Sequence, residues 1–419
     1  MSDPAIARIW YAREPQSWPS PPTLMSVSRL LEIEACPRRW ALSSASYPEI
    51  WKRSGYPQKV YKATLAGRII HLALERISKA LTEAGYASGQ DALFVEVMRK
   101  LGGFTQVIVE CIGSVVDQLA DNPRVGYSYR TLSNWLRDQS PAFRERVQIL
   151  AGRLRVQPKT AADQTRKERS GERSPLRKGS YSEVELRAES IGWIGIADLI
   201  TLSDNGCEIV DFKTGGPKPE HSFQLLVYSL LWYRDQELNP MRHSATKLTL
   251  YYPDGEVDVR TISDSEISDF ESDLLKRTRA AIESVKKLPP EARPSVQNCR
   301  FCGVRQLCDE YWKPATQERL YQSKAEAGES SVDNLLDIEV DIVEQIGPLS
   351  WDAIMTSCNA LLSGDRFKLH LTEADSTKQM ILEERRRIRI LDAYWLEKPE
   401  DSTHIPLVGL SRLTEMFLL

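Results

Sequence analysis

Residues 195–215 read GIADLITLSDNGCEIVDFKTG, and this stretch decides the fold. IGWIGIADLITL is rich in β-branched residues, and CEIVDFKT is a short buried-strand pattern. Asn205-Gly206 between them is a hairpin-turn signal. Asp198 falls on the first strand and Asp211 on the second, with Lys213 two residues further on. Alternate residues of a strand share a face, so Asp211 and Lys213 project together beside Asp198. Converging carboxylates repel unless a cation lies between them, and oxygen ligation suits Mg²⁺ or Mn²⁺. The backbone carbonyl of Phe212 is a further candidate ligand. Such a metal polarises a phosphodiester and activates water. The Lys213 ammonium then orients that water or stabilises charge growing on phosphorus. Asp-Phe-Lys alone is a weak signal, because any surface hairpin can carry it.

Working outward, SEVELRAES (182–190) alternates as a strand does, and HSFQLLVYSLLWYRDQ (221–236) is an apolar helix. Residues 245–262 read as two strands around Pro253-Asp254-Gly255, and 263–287 as an amphipathic helix. Upstream, a short helix is expected from Ser26, a long one over 62–86, and mostly helix over 90–150. Strands in the middle with helices before and after predict an α/β fold. Residues 1–24 read as irregular. Residues 155–180 form a basic loop, either a solvated insertion or a phosphate contact. Residues 316–335 read as a polar linker. The tail, 336–419, carries short alternating strands; it is expected to be a small β-rich domain, either an OB-like barrel suited to single-stranded DNA or a docking module.

Asp198 followed by Asp211-Phe212-Lys213 resembles the core of the PD-(D/E)XK nucleases. Gly67-Arg-Ile-Ile-His71 resembles the Gly-xxx-His element of their RecB/AddB-like branch, and Gln224-Leu-Leu-Val-Tyr228 its Gln-xxx-Tyr helix. The resemblance covers about residues 25–315. It implies a restriction-endonuclease-like mixed central sheet flanked by helices, with a helical insertion over 75–180. It also implies a metal-dependent DNA nuclease, exonuclease rather than endonuclease. His71 would join Asp198, Asp211 and Phe212 at the metal, while Gln224 and Tyr228 face the site and the DNA. An acid upstream of the first strand often assists; Glu185 is the first candidate and Glu183 the second. Read without the resemblance, His71 is an ordinary helix histidine, and Gln224 and Tyr228 are i, i+4 neighbours. Relatives act in repair, CRISPR spacer acquisition and phage defence, often beside a helicase. The chain has no Walker A motif, so ATP-driven unwinding would need a partner. The competing reading is a catalytically silent DNA-binding or scaffold subunit, against which the intact Asp198, Asp211 and Lys213 stand.

Cys299, Cys302 and Cys308 follow a C-x₂-C-x₅-C spacing. Three thiolates need a fourth ligand for zinc or for a four-iron cluster, and Cys36 in Ala-Cys-Pro-Arg-Arg-Trp is the distant candidate. This layout resembles the iron–sulfur motif of AddB and of CRISPR-adaptation nucleases, which implies a [4Fe-4S] cluster clamping the two ends of the nuclease domain, with Zn²⁺ as the alternative. Cys111, Cys207 and Cys358 sit in apolar contexts and read as core residues.

With 42% apolar and 27% charged residues the chain is of globular type. The net charge of −3 means that any DNA-binding surface must be local. No apolar run of eighteen residues predicts a membrane span. The first residues lack a signal pattern, so a cytoplasmic location is expected.

Overall fold

The computed structural model describes residues 10–158, 173–326, 335–358, 365–383, 386–398 and 405–419. Residues 159–172 of the expected basic loop lie outside these. The central sheet has five strands: β2 (Gly179–Ala188), β3 (Trp193–Ser203), β4 (Gly206–Phe212), β5 (Ala245–Tyr252) and β6 (Gly255–Val259), in that spatial order. Neighbours are antiparallel except β4 and β5, which are parallel. A parallel pair needs a crossover, and the apolar helix read from 221–236 supplies it. Asp204-Asn205 make the tight β3–β4 turn, one residue earlier than the expected Asn205-Gly206, because Gly206 already opens β4 opposite Ser203; Gly206 has φ +111°, and a Cβ there would meet the Thr246 side chain at 2.4 Å.

Strand alternation divides the core between the two faces. Leu199, Val210, Phe212 and Tyr251 pack with α3 (Lys62–Glu83), α5 (Gly103–Ala120) and α7 (Ser140–Gly152). Their chain neighbours Ile200, Ile209 and Leu250 turn to α1 (Val27–Ala35), α8 (Pro219–Arg234) and α9 (Ile267–Lys286). A sheet covered on both faces explains why its strands read as apolar runs. Helix α3 buries Leu65, Ile69, Ile70, Ala73, Leu74, Ile77 and Leu81, the three- and four-residue spacing of one helix face. Helices α2 (Pro37–Ser44), α4 (Asp91–Lys100) and α6 (Tyr129–Asp138) complete this part.

After α10 (Val296–Arg300), α11 (Asp309–Trp312) and α12 (Pro314–Glu326) come the strands of the tail. These are β7 (Leu335–Gly347), β8 (Ser350–Cys358), β9 (Arg366–Leu371), β10 (Arg387–Glu397) and β11 (Leu407–Leu410), with α13 (Ser376–Glu383) between β9 and β10. Pairing runs β7–β8–β9–β11–β10 and returns from β10 to β7, which closes the sheet on itself. The β9–β11 pair is parallel and the others antiparallel. A separate apolar core, including Trp351, Phe367, Leu369 and Ile390, fills the interior.

Two segments differ from their sequence reading. Trp10–Tyr11, read as irregular, form β1, which pairs in parallel with β12 (Glu415–Leu418), itself laid along β10. Residues 314–326, overlapping the expected linker, form α12. The mixed α/β fold with a β-rich C-terminal unit is otherwise as expected. Among the described residues no helix is long and apolar enough to cross a membrane.

Candidate active site and cysteine cavity

Register places the acidic residues. Leu199 pairs with Val210, so Asp198 stands opposite Asp211. Ser182 and Val184 pair with Leu199 and Ala197, so Glu183 stands opposite Asp198. Three carboxylates thus form a row across β2, β3 and β4. Directly opposed residues of antiparallel strands share a face, with Cβ atoms about 4.5–5.5 Å apart. Glu183 has φ +51°, a left-handed conformation that costs a non-glycine residue about 1–3 kcal/mol. Such strain concentrates at functional sites.

Helices α3 and α8 close on this row. His71 Nδ1 lies 4.0 Å from Asp198 Oδ2. One turn earlier, Gly67 lets α3 approach the chain beyond β4, where a Cβ would stand 3.0 Å from Thr214 Oγ1. From α8, Gln224 Oε1 accepts a 2.8 Å hydrogen bond from Lys213 Nζ, and Gln224 Nε2 donates to the Tyr228 hydroxyl at 2.6 Å. Gly195 makes room for Tyr228, since a Cβ there would meet its ring at 2.7 Å. Lys213 holds strand register through its backbone N–H, which donates to Tyr251 O at 2.8 Å. Its Nζ lies 2.5 Å from Asp211 Oδ2. The angle is poor, so that buried oxygen has no hydrogen-bond partner. Asp198 accepts the Phe212 backbone N–H at 2.6 Å.

The electrostatics follow from burial and crowding. Burial, reinforced by Asp211, pushes the Asp198 carboxyl well above its ordinary range. Surrounding protein, then Glu75 and Asp211, push Glu183 up to about 7. Burial depresses His71, which favours the neutral imidazole that ligates metals. Burial raises Tyr228, so its hydroxyl stays protonated.

The structure thus brings His71, Asp198, Asp211, Phe212, Lys213, Gln224 and Tyr228 to one place. It does not bring Glu185, which pairs with Ile196 and accepts from Arg187 Nε at 2.6 Å. Glu183 takes the row position instead, a correction set by strand register. Sequence reading also missed His221 on α8, whose Nδ1 lies 2.9 Å from the Tyr252 hydroxyl and whose pKa is lowered by burial and then by Lys213. Its only signal was its place one turn before Gln224.

The donor set of carboxylates and one imidazole suits a hard divalent cation, and the buried Asp211 Oδ2, ion-paired with Lys213 but without a hydrogen bond, is the oxygen such a cation would take over. No group of three or more His, Cys, Asp or Glu among the described residues is arranged to hold a metal ion. At Asp211 the Lys213 ammonium occupies the position of counter-charge.

The four cysteines of the two motifs also meet as free thiols. Cys36, Cys299, Cys302 and Cys308 line one small cavity with Arg38, Arg39 and Asn298. Cys36 sits between α1 and α2 and accepts the Arg293 N–H at 3.4 Å. Asn298 donates to Ala35 O at 2.8 Å, and Arg38 Nε to Pro290 O at 2.7 Å. These bonds stitch residues 35–38 to residues 290–298. Burial foremost, with the neighbouring thiols, pushes Cys299 up to about 11 and Cys302 and Cys308 up to about 12. The four thiols share one cavity, and a thiophilic cation bound there would favour their ionised form, although no three of them are arranged as a ligand set. Cys111, Cys207 and Cys358 lie in three separate apolar cores.

Comparison with known proteins bears on this geometry. The crystal structure of SSO0001 is 20% identical to the chain, covering 44% of this chain and 79% of that one at a TM-score of 0.21. No curated protein matches. The model of the PD-(D/E)XK nuclease superfamily matches residues 24–309. That span begins at the helix leading into Cys36, ends just after Cys308, and contains every residue of the carboxylate row and of the helices closing on it. The chain belongs to the PD-(D/E)XK nuclease superfamily.

Proposed function

We propose that the protein is a Mg²⁺- or Mn²⁺-dependent deoxyribonuclease of the RecB/AddB-like branch, acting on DNA that is single-stranded or has single-stranded ends. The observation that carries this reading is the Glu183–Asp198–Asp211 row with the Lys213–Gln224–Tyr228 hydrogen-bond chain beside it. Asp198, Asp211, His71 and the Phe212 carbonyl would hold the divalent ion, which supplies Lewis-acid polarisation of the phosphodiester and an activated water. Gln224 fixes the Lys213 ammonium, and Tyr228 fixes Gln224, so the positive charge is oriented before substrate arrives. Preorganised charge of this kind stabilises developing negative charge on phosphorus without reorganisation. Glu183, on the rim of the row, is placed to take a proton from water.

The cysteine cavity supports a [4Fe-4S] cluster as a structural clamp, with Zn²⁺ as the alternative occupant. A role in repair or anti-phage defence, exonucleolytic action, a helicase partner and a cytoplasmic location belong to the same reading. The test is digestion of end-labelled single- and double-stranded DNA with Mn²⁺, by the wild type and by Lys213→Ala. The variant should lose at least a hundredfold in rate while still binding DNA. Equal rates would remove Lys213 from the chemistry. No digestion by either would favour a scaffold subunit.

A further inference from the structure

A large cavity among the described residues lies apart from the carboxylate row. It measures about 1110 Å³, above the usual 300–1,000 Å³ of small-molecule pockets. Three parts of the chain wall it: residues 51–62 with 120–132, the cysteine segment 296–311, and the closed C-terminal sheet. We propose that this cleft binds single-stranded DNA and leads the strand to the active site. The proposal rests on the nuclease reading for its destination, though not for the binding itself.

Charge is the first argument. Nine cationic side chains line the cleft against five carboxylates, in a chain whose net charge is −3. Each of those carboxylates is ion-paired: Asp121 with Arg53, Asp337 with Arg305, Asp375 with Lys378, Asp392 with Lys59 and Glu415 with Arg124. The surplus is therefore cationic and sits at the exposed rim. Lys52 and Lys62 there have no carboxylate partner among the described residues. Helix α3 begins at this rim, with no capping side chain on Tyr61 and no acid in its first turn. Its leading N–H groups add to the attraction for phosphate.

Aromatic surface is the second argument. Phe301 is 62% exposed in the wall, with Tyr61 edge-on at 5.8 Å and the Arg300 guanidinium 5.3 Å over its ring. An exposed ring beside a guanidinium suits a stacked base more than a duplex, whose bases are already stacked. The C-terminal unit completes the wall with residues of β7, β10, α13 and the segment 411–417. The path is short: His71 follows Lys62 by nine residues on α3, about 14 Å along the axis.

The test uses the full chain in the Lys213→Ala background without divalent metal. Anisotropy of a labelled single-stranded oligothymidine is compared with that of a blunt duplex. Lys52→Glu with Lys62→Glu, and separately Phe301→Ala, should weaken single-strand binding at least tenfold and leave duplex binding within twofold. The charge pair should also flatten the salt dependence, whereas Phe301→Ala should not. All these side chains are exposed, and thermal melts verify folding. In the Lys213-bearing protein, Mn²⁺-dependent hydrolysis of bis(p-nitrophenyl) phosphate should be unchanged by the cleft substitutions. Unchanged single-strand affinity, or equal loss on the duplex, would overturn the cleft. Failure of the wild type to hydrolyse the small ester, with single-strand binding as expected, would instead overturn the nuclease reading alone.

Discussion

Replacing Asp198 by Asn should make the metal-free protein more stable while destroying its activity. Asparagine keeps the volume and can still accept the Phe212 N–H that Asp198 accepts at 2.6 Å; only the charge goes. Cross-strand partners separated by about 5 Å at an effective dielectric near 20 repel by roughly 3 kcal/mol when both are ionised. The Lys213 ammonium beside Asp211 offsets part of this, leaving a gain of about 1–2 kcal/mol. For a cooperative unit of this size that is roughly 3–6 °C in melting temperature.

The pH dependence has a definite sign. The Asp198 carboxyl in the folded chain sits well above its ordinary value of 3.8. Between that value and its folded one, the folded state holds a proton that the unfolded state has released, so stability falls as pH rises. In chelator, the wild-type melting temperature should therefore fall relative to that of Asp198→Asn as pH rises from about 4. Added Mn²⁺ should reverse the order, because only the wild type offers both carboxylates to the ion. Differential scanning calorimetry across pH, with chelator and then with Mn²⁺, reads all of this. A variant that melts no higher than wild type in chelator and keeps the wild-type slope would refute the idea that paired carboxylates strain this sheet.

Other substitutions probe the surroundings. Cys36→Ser should deplete bound iron and sulfide and lower the melting temperature, while Cys111→Ser keeps the metal; elemental analysis decides, and full metal in Cys36→Ser would dismiss the clamp. Gly195→Ala puts a methyl 2.7 Å from the Tyr228 ring, an overpacking cost of about 1–3 kcal/mol, and should slow cleavage through α8 without removing a polar group; urea melts and rates check both. Arg305→Leu leaves buried Asp337 without its guanidinium, while Asp392 keeps Lys59, and an uncompensated buried charge costs about 3–5 kcal/mol; limited proteolysis should then release the C-terminal unit first.

The hairpin of Asp198 and Asp211 was legible because two local rules agree there: strand alternation, and the turn-forming Asp-Asn-Gly run between the strands. Glu183 and Glu185 were not separable in the same way. They lie two residues apart on one strand and therefore on one face, about 7 Å from each other. Only the β2–β3 register, set through the turn at 189–192, tells which stands opposite Asp198. The β-rich tail showed its strands by alternation, but its closure depends on the parallel β9–β11 pair and the return of β10 to β7. Neither is a contact between consecutive strands. The two residues of β1 had no local signal, since their partners lie some 400 positions away at Phe417 and Leu418.

Those long-range contacts share a location. Arg305, lying between Cys302 and Cys308, bonds Asp337 and Asp392 of the barrel. Arg389 of β10 reaches back to Gln306 O and Asp309 at 2.8 Å. Arg124, from the helical side, bonds Glu415 of β12 at 2.6 Å and is itself buried. The cysteine segment therefore touches the N-terminal helices through Cys36 and Asn298, and the barrel through Arg305. Loop-closure entropy grows only slowly with loop length, so one junction can hold ends this far apart in sequence. A change in the cysteine cavity must then be felt at the cleft wall, because Cys299, Arg305 and Tyr311 line both. Loss of the proposed cluster would disturb the proposed strand-binding cleft before the carboxylate row, whose own supports come from α3, α8 and the central sheet.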